Sequence, residues 1–549
     1  MLKRTLISCL ATLLVAAAAS PQRVNASGGE LLPEQAVFDV QHYDLTLSVD
    51  PARRAIRGRL GMRARMSSRA DRVALHLDDR LTVERVEAMG APAEFDHADG
   101  VIWIPLQRAV EEGATLEVAV WYGGEPRVAP RPPWEGGFSW ERSEGGHPWI
   151  ATSCQGEGAD LWWPCKDHPS DKAETMDLRI TVPRELICAA NGTLQSDEDN
   201  GDGTRTFHWR VANPINNYCV ALNIARYSVI EASYESVTGE QVPVFFFVLP
   251  ESRERGEKVL PEFLEHLRFF EDVCGPYPFR NEKYGIAETP HLGMEHQTII
   301  AYGNKFRRAA FDYDWLHHHE LAHEWWANLV TCRDWKDMWL HEGFGTYMQA
   351  LYIERQHGAA AYRVHMRGTR RGLNNRRAVA PREVHDSKQI YFLESGEHDN
   401  DIYQKGSWVL HTLRWLVGDE AFFAMLRRMA YPDPETERVT DGSQVRFVDT
   451  EDFRAIAEAV TGEDLAWFFD VYLRQPALPK LSVARSGDQL QLRWAAPDDL
   501  PFPMPVEVEV AGARRRVDMS GGEAVVEVPS GTSIKVDPDA WLLMEGSWR

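Results

Sequence analysis

A ten-residue segment, HHHELAHEWW at positions 317–326, carries four histidines and two glutamates at spacings typical of a helix. The surrounding residues 314–330 read as one helix, in which residues four positions apart share a face. His319 and His323 are therefore neighbours that can direct two imidazole nitrogens at one metal ion. Glu320 lies beside them, where it can act as a base on a water at an open coordination position.

A third metal ligand is predicted a short distance along the chain. The segment WLHEGFGTY also reads as a helix, and its Glu342 follows His323 after eighteen intervening residues. These residues suffice to end the first helix, form a turn and begin a second helix packed against it. Two imidazoles and one carboxylate make a His-His-Glu zinc site of the thermolysin type, with one coordination position open for catalysis. The sequence therefore predicts one zinc ion per chain, held by His319, His323 and Glu342.

The other two histidines of the segment are not predicted to bind the metal. His317 and His318 have no histidine four residues further along the chain. They lie about 200° and 100° around the helix from His319, respectively. We therefore expect structural or substrate-side roles for both.

The first residues have the features of a secretory signal peptide. Lys3 and Arg4 precede an apolar run (6–19) that is too short to span a bilayer as a helix, and small residues follow it. This pattern predicts a signal peptide over 1–26, with the cleavage site left open between positions 19 and 26. No other segment is long and apolar enough to cross a membrane. We therefore expect a periplasmic or secreted protein with no membrane span in the mature chain.

Net charge and cysteine content restrict the possible classes of protein. The formal net charge of −22 argues against nucleic acid as a partner, because phosphate binding requires clustered lysine and arginine. Seven cysteines in 549 residues, with no Cys-x-x-Cys pair, indicate neither a disulfide scaffold nor a cysteine-based zinc site. One or two disulfides remain possible, without a pairing. We expect most cysteines to be buried as small hydrophobic residues.

The periodicity of apolar residues divides the chain into three folded parts. Alternation with period two and frequent turn signals predict an antiparallel β domain over 27–234. Helical spacing then dominates over 235–475, and alternating strands return over 476–549. The predicted fold is therefore multidomain α+β, with an N-terminal β domain, a mostly helical domain that carries the metal site and a small C-terminal β-sandwich.

The chain resembles the aminopeptidase N and leukotriene epoxide hydrolase family of gluzincin zinc peptidases. The resemblance rests on HELAHEWW followed by LHEGFGTY, together with LGMEHQ (292–297), IYQKG (402–406), CQGEGADLWWPCKDHP (154–169) and VQHYDLTLSVDPARRAIRG (40–58). These motifs extend over most of the chain and occur in the family's order. The resemblance implies a saddle-like N-terminal β domain and a thermolysin-like catalytic domain.

The resemblance also implies roles for individual residues. It assigns Glu295 to the free α-ammonium of the substrate, a task that suits a partly buried carboxylate. It implies that the backbone of Gly293 and Met294 pairs with the substrate as an added strand. It assigns the phenol of Tyr403 to the oxyanion of the tetrahedral intermediate. Glu320 is the expected base, which would pass its proton to the leaving amine.

Two positions need separate comment. The family's Gly-x-Met-Glu-Asn motif ends here in His296, which could change the pH response of the amine site. The N-terminal domain of the family places a Gln or Glu beside the substrate amine. Counting back from PCKD favours Gln155, and a shift of two residues gives Glu157 instead. Only about seventy residues follow PALPK, so we also expect a more open site than in relatives with a large helical C-terminal domain.

The predicted function is that of an exported zinc aminopeptidase, which hydrolyses N-terminal amino acids from peptides with a free amino terminus through a zinc-activated water. An epoxide hydrolase-like enzyme is the alternative from another enzyme class, and Gln155 is compatible with it. A non-catalytic family member is the third possibility. The presence of Glu320 and of all three predicted metal ligands argues against that reading.

Overall fold

The computed structural model of the protein describes residues 26–546, so the predicted signal peptide lies outside the described residues except for Ala26. After a short helix α1 (Pro33–Ala36), the N-terminal domain consists of strands. These are β1 (Phe38–Asp50), β2 (Ala55–Met66), β3 (Ala70–His76), β4 (Leu81–Ala88), β5 (Ala91–Ala93), β6 (Asp96–Ala98), β7 (Val101–Val110), β8 (Thr115–Gly124), β9 (Gly137–Arg142), β10 (Pro148–Ser153), β11 (Lys172–Ala173), β12 (Thr175–Pro183), β13 (Ile187–Ala189), β14 (Thr193–Asp199), β15 (Thr204–Val211), β16 (Ile215–Asn216) and β17 (Asn223–Ala225).

The largest sheet of this domain has eight strands in the order β14-β15-β12-β1-β2-β8-β4-β5. All its neighbouring strands are antiparallel except β1 and β12, which are parallel. Along β1 the side chains of Tyr43, Leu45, Leu47 and Val49 are buried, as their alternation predicts. Three smaller sheets, β3-β7-β6, β13-β17-β10-β9 and β11-β16, complete the domain. The predicted β character of this part of the chain is confirmed.

The second part of the chain combines a five-stranded sheet and a parallel two-stranded sheet with most of the helices. The strands of the larger sheet are β18 (Ser228–Glu235), β19 (Gln241–Val248), β20 (Tyr284–Glu288), β21 (Gly293–Met294) and β22 (Ile300–Tyr302), and those of the smaller sheet are β23 (Val330–Cys332) and β24 (Arg446–Val448). Its helices are α2 (Arg253–Cys274), α3 (Trp315–Ala322), α4 (Trp339–Thr369), α5 (Ser387–Tyr391), α6 (Asp401–Val417), α7 (Asp419–Ala430), α8 (Thr450–Thr461) and α9 (Ala466–Leu473).

We call this second part the catalytic domain, because it carries the predicted metal ligands. Its five-stranded sheet has the order β18-β19-β20-β22-β21, so β21 is an edge strand. Strand β18 forms an antiparallel hairpin with β19 and thereby joins this sheet. The domain boundary predicted from the sequence, after residue 234, assigns nearly all of β18 to the N-terminal domain instead. Period-two alternation is the same on both sides of that boundary, and only strand pairing separates the two sheets.

The C-terminal part is a small sandwich of two three-stranded antiparallel sheets. Its strands are β25 (Lys480–Ser486), β26 (Gln489–Ala495), β27 (Val506–Val510), β28 (Ala513–Val517), β29 (Glu523–Glu527) and β30 (Ile534–Val536), ordered β25-β26-β29 and β28-β27-β30. It contacts the catalytic domain on helix α6. There the His411 Nε2 group lies 3.0 Å from the Ala540 carbonyl oxygen, and the Thr412 hydroxyl donates to the Trp541 carbonyl.

The cysteines within the described residues are buried and form no disulfides: Cys154, Cys165, Cys188, Cys219, Cys274 and Cys332. They pack as small apolar side chains, as expected. Within residues 26–546, no helix combines the length and the apolar character that a membrane crossing requires.

Candidate active site

The helix that carries the histidines is shorter than predicted. Asp314 caps α3 by accepting from the backbone N–H of His317 at 3.1 Å, and the helix ends at Ala322. A wide turn, Glu324–Leu329, follows and leaves helical geometry at Trp326 (φ −100°, ψ 55°). The prediction of a regular helix over 314–330 is therefore wrong beyond its second turn.

Side chains from outside this turn donate hydrogen bonds to its backbone carbonyl groups. Lys172 Nζ, on β11 of the N-terminal domain, donates to the Asn328 carbonyl at 2.7 Å. Asn216 Nδ2, on β16, donates to the Ala327 carbonyl at 3.3 Å, and the Thr331 hydroxyl also donates to Ala327. These side chains satisfy carbonyl groups that a continuing regular helix would pair within its own backbone.

His319, His323 and Glu342 form a compact triad. The two Nε2 atoms lie 3.3 Å apart, and each lies 3.4 Å from Glu342 Oε2. Four ligand atoms at about 2.1 Å in tetrahedral geometry stand about 3.4 Å from one another, which is the spacing found here. Among the described residues, Glu342 Oε2 has no hydrogen-bond partner although it is buried. A zinc ion fits this donor set, since it would give the buried Glu342 oxygen a partner and bind both histidine nitrogens.

The atoms behind the triad orient it for metal binding. His323 Nδ1 lies 3.1 Å from the Trp326 carbonyl oxygen, so its N–H is directed there and Nε2 is left as the ligand atom. Glu342 Oε1 accepts from the phenols of Tyr403 at 3.0 Å and Tyr391 at 3.2 Å. Burial raises the pKa of both phenols well above the usual range, so both remain protonated donors.

Glu320 faces the same cavity as the triad. Burial, reinforced by the charge of Glu295, raises the pKa of the Glu320 carboxyl well above its usual range. A cation bound at the triad would oppose this shift and favour the carboxylate. Gly293 packs directly against this side chain: a Cβ at position 293 would stand 2.4 Å from Glu320 Oε1 and 2.8 Å from Leu316 Cδ1. Only glycine leaves room for Glu320 at this position.

Glu295 is buried, with 4% of its surface exposed, and lines the same cavity. Its Oε1 accepts from Gln155 Nε2 at 2.6 Å and from the Tyr218 hydroxyl at 2.9 Å, both in the N-terminal domain. Its backbone carbonyl accepts from Asn328 Nδ2 at 3.0 Å, which ties it to the turn after the metal helix. Burial raises the pKa of Glu295, and a nearby ammonium would again favour the charged form.

The two N-terminal candidates for the amine site differ in position. Gln155 lines the cavity and contacts Glu295. Glu157 faces elsewhere: its Oε1 pairs with Lys388 and lies 3.7 Å from Arg127 Nη2, while Oε2 accepts from the Gly136 backbone at 2.6 Å. The structure therefore brings Gln155, and not Glu157, to the triad.

The cavity encloses about 320 Å³ and lies between the two domains. The edge strand β21, formed by Gly293 and Met294, borders it. The other walls include aromatic and polar side chains from both domains: Pro133, Trp134, Gln155, Leu292, Trp315, Leu316, Thr346, Gln349, Tyr391, Phe392, His398, Asn400, Tyr403 and Gln404. All predicted site residues except Glu157 line this cavity.

The remaining histidines of interest are structural. His317 is fully buried, stacks on Phe263 with ring centroids 3.6 Å apart and bonds to the Tyr284 hydroxyl. His318 is also fully buried and packs against the ring of Phe270. His296 is buried as well, and burial lowers its pKa well below the usual range. It therefore stays neutral near pH 7 and does not supply the pH response expected of this position.

Three residues of the site were not found from the sequence. Tyr218 and Tyr391 contact the carboxylates of Glu295 and Glu342, respectively, and Asn328 connects Glu295 to the metal-binding helix. Each is a single residue without a motif or a periodic position. The contacts arise from packing between distant segments, so no signal in one sequence identifies them.

Comparison with known proteins identifies relatives of both domains. The model of the peptidase M1 N-terminal domain matches residues 39–219, and that of the peptidase family M1 domain matches residues 285–472. Aminopeptidase M1-C of Oryza sativa subsp. japonica is 25% identical over 363 residues, which is 62% of this chain and 39% of the relative. Leukotriene A-4 hydrolase of Xenopus laevis is 25% identical over 419 residues, covering 70% of this chain and 64% of the relative.

A solved structure is similar over most of its length. An M1 zinc metallopeptidase mutant from Deinococcus radiodurans, bound to a Tyr-Ser-Ala substrate, superposes with a TM-score of 0.66 at 25% identity and covers 83% of this chain and 98% of that one. The chain spans about two fifths of the length of the rice relative. The two matched ranges together account for more than half of the chain. The chain therefore belongs to peptidase family M1, and zinc is its cofactor, with His319, His323 and Glu342 close enough to one another to bind the ion.

Proposed function

We propose that the protein is an exported zinc aminopeptidase, which removes N-terminal residues from peptides with a free amino terminus. The observation that carries this proposal is the position of Glu295. A buried carboxylate shares one cavity with the metal triad, and its two side-chain donors both end on Oε1. Neither of these donors contacts Oε2, which leaves this oxygen for a substrate ammonium.

The edge strand supports binding of an extended peptide. Gly293 and Met294 pair with β22 on one side only, at Tyr302 and Ala301. The free side of an edge strand can add a peptide through backbone hydrogen bonds. A peptide held in this way, with its ammonium on Glu295, would place its first peptide bond in the part of the cavity that contains the triad.

The chemistry follows from the groups around that bond. A zinc ion held by His319, His323 and Glu342 would supply a Lewis acid able to polarise the scissile carbonyl and acidify a water. The Glu320 carboxylate accepts a proton from the attacking water and transfers it to the nitrogen of the leaving peptide. The Tyr403 phenol donates a hydrogen bond to the developing oxyanion, so it must turn from Glu342 to the substrate. Gln155 holds Glu295 in place from the opposite domain.

An assay on aminoacyl fluorogenic amides tests the activity. We expect hydrolysis of amides with a free amine, loss of activity after chelation and recovery with zinc. Glu320→Gln should lower kcat by at least about 100-fold without loss of the metal. Equal rates on N-acetylated substrates would refute the assignment to an aminopeptidase.

The same assay separates two alternatives. An epoxide hydrolase-like enzyme is favoured by Gln155, an amide beside the amine site, and by the similarity to leukotriene A-4 hydrolase. Such an enzyme would open an epoxide, and a free amine on the substrate would not change its rate. A non-catalytic protein would cleave none of the substrates at any zinc concentration.

Export is tested separately from activity. The N-terminal signal pattern supports it, and processing would remove the residues before about position 26. Expression of the full chain with fractionation of the cells, followed by N-terminal sequencing of the product, should find a shortened chain outside the cytoplasm. An unprocessed chain in the cytoplasm would contradict export and leave the activity untouched.

A further inference from the structure

Two phenols donate to the same carboxylate oxygen next to the metal triad. Tyr403 and Tyr391 lie 3.0 and 3.2 Å from Glu342 Oε1, while Glu342 Oε2 faces the two histidines. A carboxylate oxygen has lone-pair directions for two donors, so both hydrogen bonds can exist at once. The proposed reaction, however, requires one of these phenols to leave for the substrate.

The two tyrosines differ in exposure. Tyr403 is half-buried in the first turn of α6 and lines the cavity. Tyr391 is 7% exposed, its ring stacks on His398 with centroids 6.2 Å apart, and its carbonyl accepts from the Asp399 backbone at 2.9 Å. The Tyr403 ring also lies 6.2 Å from a histidine ring, that of His319, so the two phenols differ in exposure and not in ring contacts. We take Tyr403, the more exposed phenol, as the one that turns and Tyr391 as the one that remains.

The short helix that carries Tyr391 is fastened at its other end to the N-terminal domain. Asp386 caps α5 in a capping box with Gln389. The Ser387 hydroxyl donates to the Gly156 carbonyl, and Lys388 pairs with the buried carboxylate of Glu157. Both partners belong to the turn that also carries Gln155. The short helix that positions the Tyr391 phenol is thus anchored to the N-terminal domain through Ser387 and Lys388, and this anchoring needs no substrate.

We propose that Tyr391 is a positioning residue for the metal site: its phenol retains Oε1 of Glu342, and so keeps Oε2 toward the two histidines, when Tyr403 turns to the substrate. This division rests on the proposed role of Tyr403. Without Tyr391, departure of Tyr403 would leave a buried carboxylate oxygen unpaired and free Glu342 to rotate. Hydrogen bonds to ligating carboxylates are known to support metal affinity in this way.

Titration of the metal-free protein with zinc, in competition with a chromophoric chelator, tests the proposal. Without substrate, Tyr403 still donates to Glu342 Oε1 in Y391F, so this variant should bind zinc about as wild type does. The Y403F variant imitates the departure of Tyr403: it should keep the zinc affinity of wild type, because Tyr391 still holds Glu342, and lose kcat instead. The double variant should raise the zinc dissociation constant by about 10-fold or more relative to Y403F, since no phenol remains on Oε1.

Y347F is the matched control, because Tyr347 lies on the same helix as Glu342 and its hydroxyl lies 2.8 Å from that of Tyr362. Its zinc affinity should equal that of wild type. A zinc affinity of Y403F about 10-fold below that of wild type would overturn the proposal, as would a double variant that binds zinc as tightly as Y403F does. The Y403F measurement keeps the test decisive if Y391F does not fold. Zinc titration does not depend on peptide cleavage, so failure of the proposed activity would be seen separately.

Discussion

Gln155 Nε2 lies 2.6 Å from Glu295 Oε1, although the two residues are 140 positions apart in the chain. One belongs to a turn of the N-terminal β domain and the other follows the edge strand β21 of the catalytic sheet. The part of the cavity around Glu295 is therefore built by both domains, while the metal triad comes from the catalytic domain alone. This division allows substrate selection and metal binding to be tested separately.

Glu295→Gln should weaken the selection of free amines without affecting the metal. A charge-assisted hydrogen bond to the ammonium contributes about 1.5–3 kcal/mol, so kcat/KM on aminoacyl amides should fall about 10- to 100-fold. The rate on N-acetylated substrates should stay the same, so the ratio of the two rates is the measurement. Glu112→Gln, in the exposed turn after β7, serves as the control and should leave this ratio unchanged.

Replacement of Gln155 and Glu157 should give different phenotypes. Gln155→Ala removes a donor from Glu295 and should raise KM for free-amine substrates about 10-fold, in line with a hydrogen bond to a charged group. Glu157→Gln removes the partner of Lys388 and should lower the melting temperature, with KM unchanged at saturating zinc. Steady-state kinetics and thermal unfolding of both variants check this. The reverse pattern would place Glu157 at the amine.

Gly293→Ala should reduce kcat by displacing Glu320. The added methyl group would overlap the Glu320 carboxylate and the side chain of Leu316, so one of them must move. We expect a loss of at least about 100-fold in kcat, comparable to removal of a general base, with the metal content of the protein preserved. Gly368→Ala is the matched control, because a Cβ there meets no atom within 4 Å. Unchanged kcat in Gly293→Ala would show that the edge strand can shift without consequence.

Acid should weaken the contact between the catalytic and C-terminal domains. Burial lowers the pKa of His411 to about 3, and its neutral ring bonds to the Ala540 carbonyl and to the Tyr362 hydroxyl at 2.5 Å. An unfolded histidine titrates near pH 6.5, so the unfolded chain binds a proton that the folded chain excludes. The contribution of His411 to the free energy of unfolding is therefore fully present above about pH 6.5. It decreases as the pH falls toward 3, by up to about 1.4 kcal/mol per pH unit.

The variant His411→Phe checks this origin of acid sensitivity. It should be less stable than wild type at pH 7.5, where both hydrogen bonds are present. Its melting temperature should fall less steeply than that of wild type between pH 7 and pH 5, because the ring cannot take up a proton. Parallel melting curves for the two proteins over this range would assign the acid sensitivity to other groups.

The sequence alone was sufficient for the metal ligands and for the type of fold. His319, His323 and Glu342 were predicted from helical spacing and a second helix, and in the structure their ligand atoms lie within 4.8 Å of one another. Local periodicity determines which side of a helix or strand is buried, so the three-part organisation also followed from it. Both results depend on short-range patterns that a single chain displays.

Contacts between distant segments could not be predicted in the same way. The carbonyls of the turn after α3 are bound by Lys172 and Asn216, which precede the turn by more than a hundred residues. Gln155 and Glu157 could not be separated by counting, because they lie in a tight turn where residues two apart do not share a face. Tyr391 became visible only once its helix was placed beside Glu342.

Strands β11 and β16 give the fold a further property. Through Lys172 and Asn216 they hold the carbonyls of Asn328 and Ala327, just after the second histidine of the triad. A catalytic segment cut away before β18 would keep all three metal-binding side chains and lose these neighbours. The complete centre, with these carbonyls held in place, thus requires both domains of one folded molecule.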